Sequence, residues 1–247
     1  MCGRYAATLP PEMMVELFKL LESADMPPRY NIKPTDPIVA IREKRGERTA
    51  RLYRWGLIPA WVKDVREFPL LINARADGML TKPAFRNAMK WGRCVVPADG
   101  YYEWMVGEDG KKHPYFITSV GNEPMVFAGL YATWHSPEGE RIDSAAIVTV
   151  DPNLDISGVH DRMPAVLRGG AVDKWLNVED VKPEEAAALV GTPPPGSMKY
   201  HLVGKAVGQV DAEGPDLVRP ITAEQAAAEG GSARPKKKAA GGQLDLF

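Results

Sequence analysis

Apolar residues recur at two spacings along this chain, and the two spacings predict short helices and short strands. Between residues 12 and 23 they recur every three or four positions after a pair of prolines, as at the start of an amphipathic helix. Short helices are also predicted over 83–89 and 184–190, whereas residues 154–158 and 171–176 are compatible with helical or irregular structure.

Runs of apolar, β-branched and aromatic residues bounded by turn residues predict strands. The predicted strands cover 38–41, 50–55, 93–97, 101–104, 115–118, 125–130 and 144–150. A turn-like Lys44–Glu47 separates the first two, and the fourth and fifth flank Gly107–Gly110 in the pattern of a β-hairpin. Short strands with a few helices between them predict an α+β fold with a curved, mainly antiparallel sheet and flanking helices.

The composition of the chain changes towards its C-terminal end. Up to residue 222 there is no internal repeat and no clear linker, and 247 residues are enough to bury a large core. From residue 223 onward alanine, glycine, glutamate and lysine dominate, a composition typical of disorder. We therefore expect one folded domain over 1–222 and a disordered tail over 223–247.

Bulk composition excludes several classes of protein. With 45% hydrophobic and 26% charged residues, no apolar run of about 18 residues and no secretory signal pattern, the chain is expected to be cytoplasmic, with no membrane partner. Its net charge is −1, and residues 1–233 carry 27 basic and 31 acidic groups, so contact with DNA would require a local basic groove. Nothing indicates an oligomer, and we expect a monomer.

The cysteine content argues against a metal centre. Two cysteines, Cys2 and Cys94, are too few for a disulfide framework or a cysteine-rich zinc site. No cluster has metal-ligand spacing, and no glycine-rich loop precedes a helix in phosphate-binding form, so we expect no metal and no cofactor. Cys94 lies in an apolar strand and is expected to be a small buried hydrophobe.

Cys2 has a chemistry that no internal cysteine can offer. It directly follows Met1, and an initiator methionine is normally removed when the next side chain is small. Cys2 would then carry an α-amine and a thiol on adjacent carbons. An aldehyde can form an imine with this amine, and the thiol then closes a five-membered thiazolidine, with effective molarities on the order of 10⁵ M or more for the intramolecular step. The alternative is a frayed terminus that happens to carry a cysteine.

Four polar clusters interrupt otherwise apolar segments. They are Cys2–Arg4, Ile72–Ala76 with Asn73 and Arg75, Pro97–Trp104 with Glu103 among aromatic residues, and Val159–Pro164 with His160 and Arg162. Each also has a structural explanation, because Glu103 could face solvent from a strand and His160 could lie in a turn.

Taken together, these clusters resemble the SRAP family, the SOS-response-associated peptidase or abasic-site-processing proteins. The most specific features are the N-terminal cysteine, the block Pro97–Trp104 and the segment His160–Pro164. Further matching segments are Tyr30–Ile32, Trp55–Trp61, Asn73–Arg75, Phe85–Arg86 and Phe127–Leu130, so the resemblance spans residues 2 to about 222. The family often has Glu after Ala76, where this chain has Asp77.

The resemblance implies a single α+β domain, with a barrel-like sheet, that crosslinks itself to abasic sites in single-stranded DNA. Such a protein would protect these sites during replication-coupled repair, with an associated lyase or reversal activity. Cys2 would be the reactive residue, and Glu103 and His160 would be the acid/base pair. Asn73 would hold the reacting terminus or the sugar by hydrogen bonds.

The resemblance also suggests which residues contact DNA. Arg4, Arg75 and Arg162 suit phosphate binding, because the guanidinium fork matches phosphate oxygens. Trp61 would stack on a base, a contact worth roughly 1–3 kcal/mol. Trp61 could equally well be a residue of the hydrophobic core.

The last five residues resemble the bacterial peptide that binds the DNA sliding clamp. Gln243 would make main-chain contacts, and Leu244, Leu246 and Phe247 would fill an apolar pocket. The sliding clamp is therefore an expected partner, which would associate the protein with the nucleoid.

Two other functions stay open at this point. In a cysteine peptidase, Cys2 would attack an amide with His160 as its base, although only Met1 precedes Cys2 for self-cleavage. In a non-catalytic reader of modified DNA, Cys2 would not be needed for binding.

Overall fold

The structure, a computed structural model, describes residues 2–107 and 109–229. The strands of this part of the chain are β1 (Tyr5–Ala7), β2 (Arg29–Ile32), β3 (Pro37–Lys44), β4 (Glu47–Trp55), β5 (Asn73–Arg75), β6 (Arg93–Ala98), β7 (Gly100–Val106), β8 (Lys112–Ser119), β9 (Met125–His135), β10 (Arg141–Val150), β11 (Met163–Pro164) and β12 (Met198–Leu202). The helices are α1 (Pro11–Phe18), α2 (Arg86–Trp91), α3 (Gly170–Leu176), α4 (Pro183–Ala187) and α5 (Ala223–Ala228). Short 3₁₀ turns cover Ala76–Gly78, Lys205–Gly208 and Pro215–Val218.

Five strands close into a barrel in the order β10, β4, β3, β6 and β9, because β9 pairs back onto β10. The pairing of β10 with β4 is parallel, and the other four pairings around the barrel are antiparallel. Apolar side chains such as Ile38, Ile41 and Val95 are fully buried. The predicted α+β fold with a mainly antiparallel, barrel-like sheet and flanking helices is confirmed.

The β3–β4 hairpin follows from its turn residues. Lys44 pairs with Glu47, which leaves Arg45 and Gly46 as a two-residue loop. Both loop residues have positive φ, 54° and 75°, as the hairpin turns that match strand twist require. The turn predicted over Lys44–Glu47 is therefore present.

A second sheet, in the order β12, β8, β7, β1 and β2, packs against the barrel through aromatic rings. The Tyr5 ring of β1 lies 5.3 Å from the Trp55 ring and 6.2 Å from the Phe127 ring, both edge-on. Tyr101 of β7 makes a similar 6.2 Å contact with Phe127. These buried rings hold β1, and with it the N-terminal residues, against the barrel.

Arg93 ties the helices to the barrel. Its guanidinium is buried and donates hydrogen bonds to main-chain carbonyls of Met89, Trp175, Asn177 and Val181, at 2.7–3.0 Å. The bonds reach α2 and the segment from the end of α3 onward, where helical carbonyls lack partners within the helix. Burial lowers the pKa of Arg93 to about 10.

The helices predicted over 83–89 and 184–190 are present as α2 and α4, with ends displaced by up to three residues. Two other predicted boundaries are wrong for a clear structural reason. Helix α1 ends at Phe18 instead of reaching residue 23, because Lys19 adopts a left-handed conformation with φ of 54°. Residues 223–228 form α5 and not the start of a disordered tail, because Thr222 and Gln225 cap the helix reciprocally and Ala226 is buried. Residues 230–247, which carry the clamp-binding motif, lie outside the described residues.

Candidate active site

The second half of β10 holds two of the candidate segments in place. On one edge it pairs in parallel with β5, so that Asn73 lies opposite Ile147 and Arg75 opposite Thr149. On the other edge it pairs with β11, where Pro164 lies opposite Thr149. The segments Asn73–Arg75 and His160–Arg162 are therefore held at the same end of one strand.

Cys2 reaches this place because β1 pairs with β7. Tyr5 lies opposite Tyr101, and the amide of Tyr102 donates to the carbonyl of Arg4 at 2.9 Å. Beyond this pairing, Nδ2 of Asn73 donates a hydrogen bond to the carbonyl oxygen of Cys2 at 2.9 Å. Cys2 is fully buried. Strand β7 and Asn73 thus fix the position of the N-terminal segment.

Glu103 and His160 face one another in the same region. Oε2 of Glu103 lies 3.8 Å from Nε2 of His160, and the Glu103 residue is only 4% exposed. Burial raises the pKa of Glu103 to about 7. Burial likewise lowers the pKa of His160, whose Nδ1 accepts from the amide of Arg162 at 3.1 Å and lies 2.7 Å from Oδ1 of Asp161. The Glu103 carboxyl can therefore exchange protons near neutral pH, and the lowered pKa of His160 favours its neutral imidazole.

The thiol of Cys2 is not activated in its resting environment. Burial raises its pKa well above the usual value, and the negative charge of Glu103 raises it further. Its Sγ lies 3.9 Å from the carbonyl oxygen of Arg4. Because the thiolate is the nucleophile, Cys2 needs a neighbouring base to take its proton.

The three candidate arginines lie in different environments. Arg75 is exposed. Arg162 is buried, with Nη1 2.5 Å from Oδ1 of Asp151 and Nη2 donating to the carbonyl of Thr149 at 3.0 Å. Arg4 is half-buried and donates to Oδ1 of Asn31 at 3.0 Å and to the carbonyl of Val207. Arg162 and Arg4 thus have protein partners, whereas Arg75 faces solvent.

Trp61 does not belong to the core. It is 54% exposed, its Nε1 donates to the carbonyl of Pro83 at 3.3 Å, and its ring meets Phe68 edge-on at 5.6 Å. The structure therefore rules out the interpretation of Trp61 as a core residue.

Buried polar atoms on the candidate residues and on their neighbours in the sheet complete this region. The hydroxyls of Tyr101 and Thr149 are buried without a hydrogen-bond partner among residues 2–107 and 109–229, as are Oδ1 of Asn73 and Nε of Arg162. Tyr101 lies two positions before Glu103 on β7, so both side chains point to the same face of the strand. Thr149 reaches the site through its pairing with Arg75 and Pro164, for which the sequence carries no signal.

Within residues 2–107 and 109–229, no group of three or more His, Cys, Asp or Glu side chains is arranged to hold a metal ion. No helix in this part is both long enough and apolar enough to cross a membrane.

Comparisons with known proteins show the family to which the chain belongs. Residues 1–210 match the family described as SOS response associated peptidase (SRAP). The chain is 32% identical over 221 residues to Abasic site processing protein YoqW of Bacillus subtilis, covering 88% of this chain and 99% of the relative. It is 33% identical over 226 residues to Abasic site processing protein HMCES of Gallus gallus, covering 78% and 66%.

Solved structures have the same fold. A crystal structure of a protein from Bacteroides thetaiotaomicron superposes with a TM-score of 0.81 at 24% identity, covering 90% of this chain and all of that one. A protein from Bordetella bronchiseptica superposes with a TM-score of 0.71 at 27% identity, covering 82% and 99%. On the strength of the match over residues 1–210, this chain belongs to the SOS response associated peptidase (SRAP) family.

Proposed function

We propose that this protein processes abasic sites in single-stranded DNA by bonding covalently to them through Cys2. The observation that carries the proposal is the hydrogen bond from Asn73 to the carbonyl of Cys2, beside a Glu103–His160 pair whose carboxyl has a pKa of about 7. The names of the relatives YoqW and HMCES support the same class of substrate.

The reaction requires removal of Met1, which gives Cys2 a free α-amine. The abasic sugar opens at its C1′–O4′ bond and exposes an aldehyde. The amine nitrogen adds to C1′, and the resulting carbinolamine loses water to give an imine. The sulfur of Cys2 then adds to the same carbon, and the ring nitrogen takes the proton that the thiol gives up. One water leaves, and nothing is oxidised or reduced.

Glu103 and His160 would move the protons in these steps. Opening of the sugar requires a proton at O4′, and loss of water requires one at the departing hydroxyl; a protonated Glu103 with a pKa of about 7 can donate both. Closure of the ring requires a base for the Cys2 thiol, whose own pKa is raised by burial. The ionised carboxylate, or the neutral imidazole 3.8 Å from it, would serve as that base.

Asn73 and Arg75 would position the reactants from the same short strand. The Asn73 amide holds the Cys2 carbonyl, so the amine and thiol approach C1′ from a fixed direction. Arg75, exposed and two residues further, is oriented to the same face of β5 and would bind a phosphate beside the abasic sugar. Arg162 would act through His160 and β10, because Asp151 and Thr149 already accept from its guanidinium.

The deciding experiment is a denaturing gel of Met-processed protein with a single-stranded oligonucleotide that carries one abasic site. A shifted band that survives boiling is expected for the natural protein and for Cys94→Ala, a matched control in which the other buried cysteine is removed. Cys2→Ala should give no band. Cys2→Ser keeps the amine and lacks the thiol, so its adduct should survive only after reduction of the imine with borohydride.

The alternatives predict other results. A peptidase would turn over casein or peptides with a dependence on Cys2 and His160, and would give no boil-stable DNA band. If the protein is a reader of modified DNA, the Cys2→Ala variant should bind the abasic oligonucleotide as well as the natural protein does, and neither should give a boil-stable band. Absence of the band with fully processed natural protein would refute the crosslinking mechanism.

We further propose that residues 243–247 recruit the protein to the DNA sliding clamp and so to the nucleoid. The support is the sequence alone: two leucines and a phenylalanine after Gln243 form a compact apolar anchor. Leu246→Ala together with Phe247→Ala should abolish binding to purified clamp and leave crosslinking in solution unchanged. Equal clamp binding by this variant would refute the proposal.

A further inference from the structure

Two tryptophans line one groove on the surface of the protein. Trp61 is 54% exposed and Trp91, the last residue of α2, is 61% exposed. The groove has a volume of about 310 Å³, and its wall is completed by residues around Pro83 and Asn87 and by Tyr131 of β9. Exposed indole rings on a groove are a costly arrangement for a soluble domain unless something covers them.

The fold holds both rings in place. Gly92 brings the end of α2 against β9 so closely that a Cβ at this position would lie 2.2 Å from the carbonyl oxygen of Tyr131. The amide of Tyr131 donates to the carbonyl of Gly92 at 2.7 Å, which fixes Trp91 beside β9. Trp61 is held by its hydrogen bond to the carbonyl of Pro83 and by the edge of Phe68. The groove is therefore preformed.

A row of basic side chains runs along the same helix. Lys82, Arg86 and Lys90 are exposed and spaced four residues apart, and the amide of Arg86 donates to the carbonyl of Lys82 at 3.0 Å, so the helical path includes Lys82. None of the three forms an ion pair within 4.0 Å with an acidic side chain of residues 2–107 and 109–229. Nζ of Lys90 lies 4.8 Å from the centroid of the Trp91 ring. Residues 75–92 carry four basic groups and one acidic group, in a chain of net charge −1.

The groove adjoins the candidate active site in the chain and in space. Trp61 lies in the loop that leads into β5, and α2 follows β5, so both walls flank Asn73–Arg75. On β10, Ala145 pairs with Tyr131 of the groove, and Ile147, two residues further, pairs with Asn73. Along β10 this is an offset of roughly 7 Å, and β5 and β9 lie on opposite edges of that strand. The groove and Asn73–Arg75 therefore lie on neighbouring parts of the same sheet.

We propose that the groove between Trp61 and Trp91 is a second contact site for single-stranded DNA. Bases that flank the reacting nucleotide stack on the two indoles, and the row Lys82, Arg86 and Lys90 faces the phosphates. Aromatic platforms beside basic rows are how proteins bind single strands without reading their sequence. This inference rests on the proposed function for the choice of ligand, and it adds Trp91 as the residue that extends the contact beyond the abasic sugar.

The test measures affinity for an ordinary single-stranded oligonucleotide of about 20 nucleotides by fluorescence anisotropy, so that it does not depend on covalent chemistry. Trp91→Ala should raise Kd at least about fivefold, the lower end of the effect of losing one stacked base. Trp91→Phe should recover most of the affinity. Tyr200→Ala is the matched control, because Tyr200 is an exposed aromatic residue on β12, in the other sheet. Lys90→Gln should reduce the slope of log Kd against log salt by about one.

A second arm compares crosslinking on two abasic oligonucleotides, one of about 20 nucleotides and one with a single nucleotide on each side of the lesion. The Trp91→Ala variant should crosslink the short substrate at the same rate as the natural protein. At a limiting protein concentration it should crosslink the long substrate more slowly than the natural protein does. Equal Kd for Trp91→Ala and the natural protein, or an equal loss on both lengths, would overturn the groove proposal. If natural protein binds DNA through Trp91 but never crosslinks, the groove proposal stands and the crosslinking function fails.

Discussion

The side-chain amide of Asn73 donates a hydrogen bond to the main-chain carbonyl of Cys2 across 71 positions of sequence. It joins the N-terminal segment, which is otherwise held through β1 and β7, to β5 on the edge of β10. The nucleophile of the proposed reaction thus lies just before the first strand of the second sheet, and its positioning group lies beside the barrel. The first prediction concerns this bond.

Asn73→Ala should slow crosslinking by roughly five- to fifteenfold, because one hydrogen bond of about 1–1.5 kcal/mol no longer orients the terminus. Asn73→Asp keeps the shape but cannot donate when ionised, and should be at least as slow. The measurement is the single-turnover rate of band formation on an abasic oligonucleotide. An unchanged rate for both variants would remove Asn73 from the mechanism.

Glu103→Gln should stabilise the protein at high pH and leave its stability unchanged in acid. The folded carboxyl has a pKa of about 7, above its ordinary value, so between the two values the folded chain binds more protons than the unfolded one. Stability therefore falls as pH rises through this window and stays low above it. At about pH 8 the variant should gain up to about 3 kcal/mol in the free energy of unfolding, measured by urea denaturation.

The same substitution removes the proposed acid and base, so crosslinking should slow by about 10²-fold or more. In the natural protein the rate of the closure step should rise through about pH 7, as the carboxylate forms. A variant that is both more stable and as fast as the natural protein would contradict the assignment of Glu103.

Substitution of Arg75 should affect DNA binding, whereas substitution of Arg162 should affect the stability of the fold. Arg75→Gln removes an exposed charge, so it should weaken DNA binding, reduce the salt dependence of log Kd by about one and leave Tm unchanged. Arg162→Gln removes a buried guanidinium bonded to Asp151 and Thr149, and should cost about 1–3 kcal/mol of stability. Calorimetry measures the Tm of each variant, and fluorescence anisotropy measures its Kd for DNA. A loss of stability in Arg75→Gln, or a loss of DNA affinity without a loss of stability in Arg162→Gln, would contradict these roles.

Two adjacent tyrosines offer a matched pair. The hydroxyl of Tyr102 donates to the carbonyl of Tyr30 at 2.7 Å, whereas the buried hydroxyl of Tyr101 has no partner among the described residues. Tyr102→Phe should therefore lower the free energy of unfolding by about 1 kcal/mol, and Tyr101→Phe should leave it unchanged or raise it. Equal losses in denaturant titrations would mean that Tyr101 also has a hydrogen-bond partner.

Two truncations should distinguish the contribution of α5 to stability from the role of the residues after it. Ending the chain at residue 222 removes the buried Ala226 and the bond from the amide of Lys205 to Glu229, so Tm should fall by several degrees. Ending it at residue 229 should leave Tm unchanged and abolish clamp binding. Identical Tm values for both truncations would show that α5 contributes nothing to the fold.

The sequence was most informative where a segment carries its own pattern. Strands β3, β4, β6, β7, β8, β9 and β10 have six to eleven residues, and each overlaps a predicted strand. Strands β1, β2, β5, β11 and β12 have two to five residues and exist because a partner strand pairs with them, a condition that no local pattern records.

The candidate site divides in the same way. Cys2, Asn73, Glu103 and His160 stand out as polar residues in apolar segments, and the structure brings them into one region. The environment of Arg162 could not be predicted, because its bonds to Asp151 and Thr149 depend on the reversal between β10 and β11. The pairing of Thr149 with Arg75 depends equally on tertiary structure.

Strand β10 pairs with β4 and β9 to close the barrel and with β5 and β11 to hold the candidate site. The candidate site and the barrel should therefore unfold together, as one cooperative unit. Inactivation by urea should follow the same curve as loss of tertiary structure, with a common midpoint and a common slope. We therefore expect no partly unfolded state that keeps its reactivity, because loss of β10 from the barrel also removes the strand that holds the site.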